Sequence, residues 1–98
     1  MAAGKERIDY NYREMIELVA ELNDIAEELD NIKITFDGAL SNLGGYWQGR
    51  SSEDYRSQGV GVSQFMGQNA ASLKAVASGI KSTAKAYREA EYQKLEDE

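Results

Sequence analysis

Starting at Ile8 and stepping alternately by four and three residues, the chain reads Ile8, Tyr12, Met15, Val19, Leu22, Ala26, Leu29, Lys33, Phe36, Leu40, Leu43, and only Lys33 interrupts the apolar series. A heptad seam held over five repeats is the spacing of a helix packed nearly parallel or antiparallel to another. Leu18, Ile25, Ile32 and Ala39 recur every seven residues beside it. They widen the stripe beyond a two-stranded coiled coil and towards a bundle.

The second half repeats the step less strongly, through Tyr55, Gly59, Val62, Met66, Asn69, Leu73, Val76, Ile80, Thr83, Tyr87, Ala90 and Lys94, with Ala70, Ala77 and Ala84 flanking it. Gly59, Gly61, Gly67 and Gly79 fall inside this region, and each costs about 1 kcal/mol relative to Ala in a helix interior. Tertiary packing therefore has to hold the second helix. A kink or fraying is expected in its weakest stretch, residues 57–67.

Between the two patterns lies "LGGYWQGRSS", Leu43 to Ser52, which contains the only Trp of the chain. Gly44 or Gly45 suits the left-handed residue that ends a helix, and Gly49 permits a second tight bend. Ser51 or Ser52 can cap the next helix, with Glu53 and Asp54 in its first turn. The expected fold is all-α: an antiparallel hairpin in a single domain, residues 1–98. Helix 1 spans about 8–43, the turn 44–50 and helix 2 about 52–92, followed by an acidic tail at 93–98. Two helices alone leave apolar surface outside, and oligomerisation is the usual remedy for so short a chain. A dimer forming a four-helix bundle is expected. The predicted packing residues are Met15, Val19, Leu22, Leu29, Phe36, Leu40, Leu43, Tyr55, Val62, Met66, Leu73, Val76 and Ile80.

Composition narrows the function. The 98 residues carry 11 Lys plus Arg against 17 Asp plus Glu, a net charge of −6. That argues against binding nucleic acid or anionic lipid, both of which need basic residues, so membrane contact is not expected. Helix 1 concentrates the acid, with nine acidic and two basic residues from Asp9 to Asp37; residues 52–86 hold two acidic and four basic ones. An acidic helix beside a mildly basic one favours antiparallel pairing, though each exposed contact contributes only about 0–1 kcal/mol. Without Cys or His, disulfides, thiolate metal sites and the commonest general base are all excluded. The pairs Glu17–Glu21 and Asp24–Glu28 read as a solvated face. No catalytic constellation, metal site or cofactor is read from the chain. No window has the ~20 apolar residues of a membrane span. "MAAGKERIDY" lacks an apolar core, so a standard secretory signal is not expected.

A hundred-residue helical hairpin with Trp47-Gln48-Gly49 in its turn resembles the WXG-100 family of early-secreted-antigen-like proteins. These are substrates of type VII (ESX/Ess-like) secretion in Gram-positive bacteria and mycobacteria, some of them virulence-associated. The family motif is often extended by a small residue two after the Gly and an aromatic eight after the Trp, here Ser51 and Tyr55. Members also tend to carry Tyr-x-x-x-Asp/Glu near the end of helix 2. Tyr87-Arg88-Glu89-Ala90-Glu91 fits, forty residues beyond the Trp. A second match, Tyr92 to Glu96, follows five residues on, and the first is preferred for its spacing. The departures are Tyr rather than Phe at position 55 and several Gly in helix 2.

The resemblance implies export as a folded homodimer or heterodimer with a related hairpin. It also implies a composite signal, in which the Trp47/Gly49 turn of one subunit lies near the Tyr87/Glu91 motif of the other. An FtsK/SpoIIIE-type ATPase would read that signal. Tyr87 and Glu91 stand one helical turn apart, so ring and carboxylate point the same way, and a turn Trp adds a rigid apolar anchor. Plainer readings stand beside these. In them Trp47 only covers the bundle end, Gly49 is a backbone requirement, Tyr87 a seam residue and Glu91 a solvated carboxylate. The alternative function is a coiled-coil adaptor that stays in the cytoplasm.

Overall fold

The structure, a computed structural model, describes the backbone of residues 2–46 and 50–97 and the side chains of residues 4–44 and 53–97. It contains two helices, α1 (Ala2–Tyr46) and α2 (Arg50–Asp97), which form an all-α hairpin. Both outrun the spans expected from periodicity. α2 passes unbroken through residues 57–67, where a kink was expected, and continues to Asp97 across the expected tail.

Two compact units divide the chain, Met1–Asp24 with Lys74–Glu98, and Ile25–Leu73. In the second unit, Lys33 lies against Gly67, Leu40 against Gly59 and Gly44 against Arg56, while Ser63 bonds Asp37. Numbers rise on one helix as they fall on the other, so the helices run antiparallel. In the first unit, Gly4 meets Leu95, Asp9 meets Tyr92 and Asn11 meets Tyr87, with the same sense.

On α1 the inward face is the one the four-three step predicts. All of its positions from Ile8 to Leu40 are buried or half-buried, and only Leu43 is exposed. On α2 the inward row needs a correction. Ala70, Ala77 and Ala84, read from the sequence as a flank, are at most 1% exposed, and Ser63 continues their row. Val62 and Val76, read as seam, are about half exposed. Hydrophobicity ranks Val above Ala, but close helix contact selects small side chains, which let two backbones approach.

The glycines of α2 divide by the same logic. A Cβ at position 59 would sit 2.7 Å from a Leu40 methyl, and one at position 67 would sit 3.2 Å from Lys33 Cε. Gly59 is thus a notch for Leu40, and Gly67 a bed for the Lys33 stem. Gly61 and Gly79 face open space. Gly61→Ala and Gly79→Ala are expected to stabilise the protein by about 0.5–1 kcal/mol each through helix propensity, whereas Gly59→Val should destabilise it by about 1–3 kcal/mol through overpacking against Leu40. Chemical denaturation followed by circular dichroism separates the two classes, and a stabilising Gly59→Val would refute the notch.

Candidate functional site

In each unit the contacts sort the hairpin surface into two sides. Within Ile25–Leu73, Lys33 beside Gly67 and Asp37 beside Ser63 mark one polar side. The flank on the far side of each inward row therefore shares the opposite side. There α1 presents Ile25, Leu29, Ile32, Phe36, Ala39 and Leu43, and α2 presents Tyr55, Val62, Met66 and Leu73. Ile25 (50%), Ile32 (56%) and Val62 (48%) are exposed. Leu29, Phe36, Met66 and Leu73 are half-buried, as is Leu40 in the seam. Asn31, Ile32, Thr35, Phe36 and Ala39 line a shallow apolar hollow on α1. Patches of this kind on a small protein mark an interaction surface.

Within Met1–Asp24 with Lys74–Glu98, the hydrogen bond from Asn11 to Tyr87 lies on the more apolar side of that unit. That side carries Leu18 and Val76, both exposed, and Met15, Leu22 and Ile80, half-buried. Val19 lies in the seam at 8% exposure. The opposite side carries Asp9 with Tyr92 and Tyr12 under Arg88.

The predicted motif residues divide between what the structure describes and what it does not. Trp47 and Gly49 lie outside the described residues. Tyr87 and Glu91 are both half-buried on α2, one turn apart. Asn11 Nδ2 donates to the Tyr87 hydroxyl at 3.0 Å, and Lys94 Nζ pairs with Glu91 Oε1 at 3.2 Å. Sequence reasoning missed Asp9 and Asn11 as partners of the C-terminal segment. Pairing the two helices in antiparallel register about the central turn would have found them.

It also missed the clasp in the seam of the Ile25–Leu73 unit. Asp37 accepts a hydrogen bond from the buried Ser63 hydroxyl at 2.5 Å and one from Lys33 Nζ at 3.0 Å. Lys33, the one break in the apolar series, lays its stem along Gly67 and brings its charge to Asp37 one turn on. The Ser63 bond, and after it the Lys33 bond, hold the Asp37 carboxyl below its ordinary value of 3.8. Among the described residues no group of carboxylates is placed to hold a metal, and no helix is long and apolar enough to cross a membrane.

Exposed apolar side chains on a helical hairpin mark a surface open to association. The family model for proteins of 100 residues with WXG matches residues 7–92, and the chain belongs to that family. Its members are not enzymes, and neither is this chain. No curated protein and no solved structure matches it.

A group whose folded-state pKa is depressed contributes stability above the unfolded pKa, and that contribution is lost as pH falls through the folded value. Ser63→Ala should therefore lower the thermal midpoint at pH 5–7. Its difference from the parent protein should shrink once pH drops well below 3.8, the ordinary Asp37 value. A difference that does not change with pH, measured by thermal circular dichroism, would rule out the clasp as the acid-sensitive contact.

Proposed function

We propose that the protein is a substrate of a type VII secretion system, exported as a folded dimer. It serves as an effector or as the export partner of one. Family membership over residues 7–92 supports this reading most directly. The apolar side supports the dimer: Ile25 and Ile32, isoleucines half open to solvent on a 98-residue chain, are what a second hairpin would cover, completing a four-helix bundle. The second subunit is a copy of this chain or a related hairpin. Trp47 and Gly49 in the turn, with Tyr87 and Glu91 near the end of α2, form the signal read by an FtsK/SpoIIIE-type ATPase. Export places the protein outside the cell after a transient cytoplasmic stage.

Sedimentation tests the dimer. The parent protein, alone or with its related partner, should run as a dimer at micromolar concentration, and Ile25→Glu with Ile32→Glu should weaken association at least tenfold, or about 1.4 kcal/mol. A monodisperse monomer in both cases would refute it. Export is tested by the level of protein in the culture medium of the host. Tyr87→Ala and Glu91→Ala should abolish export while dimer and fold persist. Trp47→Ala should reduce export at a stability cost of about 1–3 kcal/mol. Unchanged export of the Tyr87 and Glu91 variants would sink the signal assignment. Absence of the parent protein from the medium would favour a cytoplasmic adaptor.

A further inference from the structure

The Tyr87–Glu91 segment does not stand on a free helix end. In the unit Met1–Asp24 with Lys74–Glu98, the start of α1 grips it at four levels. Leu95 packs over Gly4, where an added Cβ would lie 3.1 Å from Leu95 Cδ2. The Tyr92 hydroxyl donates to Asp9 Oδ1. Asn11 Nδ2 donates to the Tyr87 hydroxyl at 3.0 Å. The Arg88 guanidinium carbon lies 4.1 Å from the centre of the Tyr12 ring. Tyr87 reaches α1 from one side of the contact line and Arg88 and Tyr92 from the other, so α1 holds the segment on both sides.

The rest of the segment explains why such a grip is needed. Glu96 and Asp97 are exposed in the last turn of α2, where the helix dipole is negative and carboxylates weaken the helix. Lys94 is the only basic residue in the last turn, and it is paired with Glu91. A terminus of this composition depends on tertiary contact to stay helical.

We infer that Asp9, Asn11 and Tyr12 are positioning residues for the C-terminal motif. They hold residues 87–97 as a helix, so that a reader meets Tyr87 and Glu91 at fixed spacing on a preformed ridge rather than on an extended peptide. The inference rests on the reading of Tyr87 and Glu91 as an export signal. It assigns part of that signal's geometry to the opposite end of the same chain. A preformed ridge spares the reader the ordering cost that a disordered segment would pay on binding.

Hydrogen exchange of the full chain, read beside export, tests this. Asn11→Ala and Tyr12→Ala should speed exchange of the 87–97 amides about tenfold, the scale of one net hydrogen bond, and leave amides 62–73 unchanged. Asp9→Ala should do the same, and Asp9→Asn, which keeps an acceptor for the Tyr92 hydroxyl, should loosen the segment less. Export of the loosened variants should fall towards that of Tyr87→Ala. Unchanged exchange at 87–97 would overturn the inference. So would parental export of a loosened variant when Tyr87→Ala is not exported. If Tyr87→Ala itself is exported normally, the signal reading fails and the inference fails with it, an outcome told apart by that one variant.

Discussion

Close approach of two helix backbones is the constraint on which the rest depends. In the Ile25–Leu73 unit, Ala26 and Ala70 are fully or almost fully buried, and Gly59 takes in the Leu40 methyls. In the other unit Ala77 and Ala84 have no exposure at all. Small residues at the line of contact bury little area each, yet they let long side chains on either flank meet across the pair. That arrangement leaves the larger Leu, Ile and Val side chains beside the contact line instead of on it.

Within each unit the two flanks then acquire opposite characters. On one flank of the Ile25–Leu73 unit Lys33, Asp37 and Ser63 satisfy one another, and on one flank of the other unit Asp9, Tyr12, Arg88 and Tyr92 make directional contacts between the helices. Directional contacts of this kind hold a register that a repeating row of alanines, taken alone, would leave degenerate. On the other flank, Ile25, Ile32 and Val62 in the Ile25–Leu73 unit and Val76 in the other unit remain half open to water. Within each unit, one flank is tied across the helices by polar contacts and the other keeps apolar side chains open to water.

Much of this was legible in the residue pattern. The four-three step through α1 and the glycines around Trp47 defined a hairpin, and the Trp-x-Gly motif with a distant Tyr-x-x-x-Glu pointed to the family. Period and turn chemistry are local properties, and local properties survive without a structure. What failed on α2 was the choice of row. Val62 and Val76 outrank Ala70 and Ala77 on any hydrophobic scale, while the inward face was selected by steric closeness, which a scale does not encode.

Side-chain partnership was decided only by tertiary structure. Lys33 looked like a flaw in an apolar series until its stem was seen along Gly67 and its charge at Asp37. Tyr87 and Glu91 could be named from their spacing, but that Asn11 holds the Tyr87 hydroxyl depends on which turn of α1 lies opposite it. The chain alone determined two long helices and their reversal, because those follow from periodicity and backbone preference, while its motifs carried the resemblance to the family. Which row faces inward, which polar groups meet and which apolar side stays uncovered follow from distances between residues far apart in sequence, and these exist only once the two helices have packed.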